Sequence, residues 1–286
     1  MIVTRIVKSL AMAAAVLTAG VASASYPIYS TSFEAPTYTA GNSINGVDGW
    51  NVPGGTVTVT ANGGGTNAQE GSQYVTLSAG STLQRTISNT DNVNLIWVQG
   101  YFRGTGSSVT LANANYTDTN ASAIVHFSQQ NGIEMENGNG LGTAGTPVGS
   151  DVVLNPTTWY KITIQLNFTP DGNNRKTWKL WVNNVRVPSS GTQTFGFRND
   201  SVTKLNGFQN LAQSQSLFDD FRVIKPILGD ANGDGLVDSA DLIRLLSYVS
   251  GGVQDIIVKT DSDIDADGDV DAMDVDHLTM IIMGEM

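Results

Sequence analysis

Two stretches near the C-terminus place oxygen-bearing side chains at fixed intervals. The first reads DANGDGLVDSAD from Asp230 to Asp241. The second reads DIDADGDVDAMD from Asp263 to Asp274, and each position lies 33 residues after its counterpart. Positions 1, 3 and 5 are Asp230, Asn232 and Asp234 in the first, and Asp263, Asp265 and Asp267 in the second. Position 6 is Gly, where the chain must turn sharply. Position 7 (Leu236, Asp269) offers its backbone carbonyl, position 9 is Asp (Asp238, Asp271), and position 12 is Asp (Asp241, Asp274). A hard divalent cation takes six to eight oxygens in a flexible cage, and this spacing turns the donors toward one point. The chemistry implied is the binding of two Ca2+.

The elements that position these loops are short. Lys225-Pro226-Ile227-Leu228-Gly229 leaves no room for a helix before the first loop, so each unit is a loop with an exiting helix only. Leu242, Leu245, Leu246 and Val249 give a helical apolar stripe after loop one, and Val275, Leu278, Ile281 and Ile282 after loop two. Val237 and Val270 at position 8 are expected to pack against the neighbouring loop. Gly251 and Gly284 fall at matching places past the helices, where a left-handed cap is expected.

The tandem loop–helix units, the Asp at position 12 in place of a longer Glu, and the Gly after each helix resemble a type I-like dockerin. The resemblance covers about a fifth of the chain. It implies a cohesin domain on a scaffold protein as partner, with contacts at loop positions 10 and 11. Those are Ser239 and Ala240 in the first repeat, and Ala272 and Met273 in the second. These pairs differ, as do Leu246-Ser247 and Thr279-Met280, so one docking orientation is expected rather than two.

Charge separates this module from the rest. Residues 25–225 carry 12 acidic and 11 basic side chains, whereas residues 226–286 carry 14 acidic and 2 basic. So acidic a tail argues against nucleic acid as a partner. The chain has no cysteine, which excludes disulfides and thiolate sites. At the other end, Arg5 and Lys8, the apolar run Leu10–Val21 and Ala22-Ser23-Ala24 read as a signal peptide over residues 1–24, too short to span a membrane. A secreted protein is therefore expected, associated with the cell surface through its scaffold.

Residues 25–225 read as many short strands separated by turns. The clearest is Trp159–Phe168, where Tyr160, Ile162, Ile164, Leu166 and Phe168 share one face. Pro170-Asp171-Gly172 turns the chain into Thr177–Val182, and Asn183-Asn184 predicts a tight hairpin into Val185–Val187. The expected fold is mainly β: an antiparallel β-sandwich followed by a small α-helical two-calcium domain at 226–286. Trp159-Tyr160-Lys161-Ile162, Lys179–Asn184 and Phe218–Val223 resemble the concanavalin A-like, laminin-G-like jelly roll. So does the opening from Ser32-Phe33-Glu34 to Gly49-Trp50. That fold hosts lectins, glycosidases and lyases alike, and leaves function to the site.

The acids and the histidine of this domain do not complete a catalytic constellation. Glu134 and Glu136 share a strand face, but Asn139 stands where a third acid would complete a glucanase pattern, and an exposed strand end is expected there. His126 has no histidine companion in the domain, and no nucleophile elbow is present. No catalytic residue is assigned. Sugar binding asks for aromatic platforms beside polar groups, which singles out Trp97, Tyr101 and Trp181. A further Ca2+ near Asp219 or Asp220 is an additional expectation. The leading expectation is a carbohydrate-associated binding protein with a polysaccharide or glycan partner. A divergent glycoside hydrolase or polysaccharide lyase, or a surface adhesion protein, are the alternatives.

Overall fold

The computed structural model describes residues 28–91, 93–114, 116, 118–232, 236–252, 262–264 and 269–285. The expected signal peptide lies outside them. Two compact units are seen, Ile28–Val223 and the residues from Ile224 on. The first is built of antiparallel sheets and the second carries two helices, as expected from the sequence.

In chain order the strands are β1 (Tyr29–Thr31), β2 (Trp50–Gly54), β3 (Val57–Ala61), β4 (Gln73–Leu77), β5 (Ser81–Thr86), β6 (Leu95–Gly104), β7 (Val125–Ser128) and β8 (Gly132–Asn137). There follow β9 (Thr146–Gly149), β10 (Tyr160–Asn167), β11 (Thr177–Val182), β12 (Val185–Val187), β13 (Phe195–Gly196), β14 (Gly207–Ala212) and β15 (Ser216–Ile224). A nine-stranded sheet runs β12-β11-β10-β6-β15-β4-β3, with β1 on β15 and β13 on β11. Two three-stranded sheets, β14-β5-β2 and β7-β8-β9, share one apolar core with it.

Alternation explains β10. Tyr160, Ile162 and Leu166 are buried in the core with Phe168 just beyond the strand, and Ile164 packs against the same cluster. Pairing fixes the register: Ile162 lies opposite Gly100 of β6 and Val182 of β11. A one-residue slip would turn the apolar set outward, so burial holds this pairing. Gly100 itself is required by a close approach, because a Cβ there would stand 2.8 Å from the Phe218 ring. Asn183 and Asn184 both take positive φ, 50° and 65°, as the two-residue hairpin demands.

Trp50 anchors one end of the core. Its ring packs against Phe221 at 5.6 Å and Phe33 at 5.7 Å between centroids. Its indole N–H donates to the hydroxyls of Tyr29 (3.0 Å) and Tyr38 (3.2 Å). Both hydroxyls in turn donate to Asp48, and the Arg85 guanidinium lies 3.4 Å from the Tyr29 ring centre. The buried indole thus has both its apolar surface and its single donor satisfied.

The second unit has α1 (Ser239–Val249) and α2 (Ala272–Met283). Leu242, Leu245, Val275, Leu278 and Ala231 form its core, with Val237 and Val270 packed against it. Val249, expected in the apolar stripe, is instead exposed, because α1 ends there and Ser250 begins the turn. Gly251 and Gly284 both adopt left-handed φ, 81° and 71°.

Replacing Trp50 with Ala is expected to lower the stability of the sandwich by about 3–5 kcal/mol in urea denaturation. Trp50→Phe, which keeps most of the packing and loses only the donor, is expected to cost clearly less.

Candidate functional site

Each C-terminal loop closes on the aspartate at position 12. Asp241 is fully buried; its Oδ1 accepts the N–H of Asn232 at 2.9 Å and its Oδ2 that of Asp238 at 2.8 Å. Asp274, likewise buried, accepts from Ile264 at 2.6 Å and from Asp271 at 2.8 Å. Asp238 and Asp271 are at the same time the N-caps of α1 and α2, accepting the N–H of Ala240 and Met273. The two aspartates three residues apart therefore form a reciprocal cap that ties the loop to its helix. The D-x-x-D spacing carried this signal in the sequence, and a short side chain at position 12 suits these bonds.

Asp230 is fully buried, while Asn232, Leu236 and Asp263 are half-buried and Asp269 is exposed. Asp234, Asp265 and Asp267 lie outside the described residues. Among the described residues no three acidic or histidine side chains converge to hold a metal, so each proposed cage depends on those loop positions as well. Burying a carboxylate costs several kcal/mol unless donors or a cation compensate. Residues 226–286 hold 14 acids and only 2 bases, an excess of negative charge that a divalent cation would offset. An all-oxygen donor set with buried carboxylates fits calcium. The four expected contact positions open the two helices: Ser239 and Ala272 are half-buried, Ala240 and Met273 exposed. Thr279 is buried, with its hydroxyl donating to the carbonyl of Val275, so it is removed from any contact surface.

In the sandwich the acids Glu134 and Glu136 are not at an exposed strand end. Both are buried, in the middle of β8. Beside them β7 places His126, directly across from Glu134. A strap of residues 109–114, with Tyr116 beyond it, covers this face. Glu134 accepts the N–H of Leu111 at 2.9 Å and the side-chain amide of Asn131 at 3.0 Å. Nε2 of His126 lies 2.8 Å from the carbonyl of Val109, which can only accept, so Nε2 carries the proton. Nδ1 then accepts from the Tyr116 hydroxyl at 2.6 Å. Burial, with the charges of Glu134 and Glu136, pushes the Tyr116 hydroxyl up to about 12, so it remains a donor. Arg198 completes the group, bridging Glu136 at 3.3 Å and the Tyr116 carbonyl at 2.8 Å. Burial raises the Glu136 carboxyl above its ordinary range, against the pull of Arg198. Tyr116 and Arg198 were not singled out in the sequence: Arg198 lies 62 residues from Glu136, and Tyr116, ten residues before His126, sits in an irregular segment with no pattern to mark its side chain.

Between β7 and β14 the two small sheets part, leaving a cleft of about 830 Å³ floored by Val98, Ile162 and Leu166, with Tyr116 and His126 on its wall.

The aromatic platform requires correction. Alternation and register put Trp97, Tyr101 and Trp181 on the outer face of the nine-stranded sheet. However, Trp97 is 0% and Trp181 6% exposed. The two rings pack on each other at 5.2 Å, and Arg186 of the next strand lies over Trp181 at 4.6 Å. Neither presents an open ring; of the three, only Tyr101 is half-exposed. The further calcium expected near Asp219 or Asp220 meets carboxylates that are already engaged. Asp219 accepts the N–H groups of Gln69, Glu70 and Asp220, and Asp220 pairs with Arg222 at 2.9 Å.

Residues 228–283 match the family model of the dockerin type I domain. No curated protein matches the chain. Among solved structures, the chain is similar to alginate lyase vAL-1 from Chlorella virus, at 14% identity over 63% of this chain and 94% of that one, with a TM-score of 0.41. It is also similar to endo-beta-1,4-glucuronan lyase from Trichoderma reesei, at 12% identity over 58% and 86%, TM-score 0.37. A xylan-binding domain from Paenibacillus barcinonensis aligns at 15% identity over 71% and 96%, TM-score 0.29.

Removing the Tyr116 hydroxyl leaves the buried Nδ1 of His126 without its donor. Tyr116→Phe is expected to cost about 1–3 kcal/mol in thermal or urea unfolding, and to speed proteolysis within residues 109–122. A variant as stable and as protected as the parent would show that the strap is held by something else.

Proposed function

We propose that this chain is an extracellular, carbohydrate-associated protein held on a cohesin-bearing scaffold by a calcium-loaded C-terminal module. On this reading a signal peptide (1–24) is removed, a β-sandwich of the concanavalin A-like, laminin-G-like kind spans 25–225, and a dockerin-like domain spans 226–286. The observation that carries the docking half is the repeated, buried position-12 carboxylate, Asp241 and Asp274, each tying a loop to the start of a helix. The match to the dockerin type I domain supports it.

The ligands are then Asp230, Asn232, Asp234, Leu236, Asp238 and Asp241 for one Ca2+, and Asp263, Asp265, Asp267, Asp269, Asp271 and Asp274 for the other. Calcium would supply the positive charge that lets these oxygens approach one another. The loops and caps hold the first turns of α1 and α2, where Ser239, Ala240, Ala272 and Met273 would meet the cohesin. Their different sizes and polarity favour one docking orientation.

A second reading, a divergent hydrolase or polysaccharide lyase, draws on the cleft with Tyr116 and His126 on its wall. Release of reducing ends or unsaturated sugars, lost in His126→Ala, would favour it.

Metal binding and folding of the module should be coupled. Calorimetric titration of the full chain is expected to show two Ca2+ bound, and chelator is expected to reduce helical circular dichroism. Pull-down by a type I cohesin domain is expected with calcium and not with chelator. Asp230→Ala combined with Asp263→Ala should abolish all three. Calcium-independent circular dichroism, or no heat on titration, would overturn the docking reading.

A further inference from the structure

We propose that the outer face of the nine-stranded sheet binds an acidic polysaccharide, whose carboxylates meet Arg103, Lys179 and Arg186. The proposal rests on the carbohydrate reading and adds to it the charge class of the glycan.

Register defines the face. Arg186 lies opposite Trp181, Trp181 opposite Thr163, and Thr163 opposite Gln99. One step along, Lys179 lies opposite Gln165 and Gln165 opposite Trp97; in the other direction Lys161 lies opposite Tyr101. Arg103 follows Tyr101 by two residues, and Arg222 sits between the core residues Phe221 and Val223. Period-two alternation puts all of these on the side away from the core. Five of the 11 basic residues of residues 25–225 are therefore on this one face, in a domain with 12 acids.

The cations elsewhere in the sandwich are matched. Arg85 pairs with Asp48, Arg175 with Asp200, Arg198 with Glu136 and Lys204 with Asp91. The Lys176 ammonium donates to the carbonyls of Asp200 and Val202. On the outer face Arg222 pairs with Asp220, but Arg103, Lys179 and Arg186 have no carboxylate partner among the described residues. Arg103 donates to the carbonyl of Pro156, and Arg186 to that of Gln193. Burial and the nearby Arg186 both push the Lys179 ammonium below its ordinary range. Two like charges are held together there, which an arriving carboxylate would relieve.

The rest of the face selects among anions. Neutral sugars and unstacked bases are held largely by accessible aromatic rings, and here Trp97 and Trp181 are buried. Gln99, Thr163 and Gln165 lie between the cations on the same face, so polar side chains accompany the positive charge. The cations stand half-exposed around them on strands about 4.8 Å apart. They form a field several strands wide rather than one pocket, which suits a chain carrying a carboxylate on successive sugars.

Affinity electrophoresis of the calcium-loaded full chain tests this, with polygalacturonate and alginate as acidic probes, xylan as the neutral one and polyglutamate as a non-sugar polyanion. Retardation by an acidic polysaccharide is expected, weakening with added salt. Lys179→Gln combined with Arg103→Gln should weaken it about tenfold, with unchanged circular dichroism and calcium binding. Retardation by xylan alone would overturn the charge assignment and leave the carbohydrate reading standing. No retardation by any glycan would overturn both. Acidic binding untouched by the double variant, or polyglutamate binding equally well, would overturn the site or its specificity for sugar.

Discussion

Asp219 is wholly buried, yet its two oxygens accept three backbone N–H groups and pin the segment at residues 69–70 to β15. The same device recurs through the molecule. Glu134 holds Leu111 of the strap, Glu34 holds Ser72 and Gln73, and Asp241 and Asp274 hold their own loops. A carboxylate out of water must be met by donors, and backbone N–H groups of irregular segments need acceptors. In a chain without cysteine, this mutual need takes over the cross-linking that disulfides provide elsewhere. It also limits chemistry, since an acid whose lone pairs are filled by amides is poorly placed to act on a substrate.

Where local pattern and tertiary burial agree, the fold could be read directly. The apolar face of β10, the Asn183-Asn184 hairpin and the loop–helix repeats follow from alternation, turn chemistry and ligand spacing. Readings failed where exposure depends on a distant segment. Glu134 and Glu136 look like surface acids until the strap at 109–114, Tyr116 and Arg198 close over them. Trp181 lies on the outer face, but its exposure is decided by Arg186 from the next strand and Trp97 from two strands away. The short strands β2, β5 and β14 carry weak alternation and are held by packing on Trp50 and its neighbours. Their own side chains therefore gave little signal.

The two units solve different electrostatic problems. In the sandwich, acids and bases are nearly balanced and most are paired locally, which leaves the outer face of the large sheet with the unbalanced cations. In the C-terminal unit the imbalance is built in, with 14 acids against 2 bases, and backbone N–H groups meet the buried Asp241 and Asp274.

Asp238 and Asp271 each serve a loop and a helix at once, and the two residues after each serve neither with their side chains. Ser239-Ala240 and Ala272-Met273 stand between an N-cap and its N3 partner, in a turn whose geometry is already set by aspartates on both sides. Mutational drift at these four positions is thus insulated from the scaffold. Under the proposed docking role, such a module can exchange one partner for another by neutral steps, while a change at either flanking aspartate is purged as a folding defect.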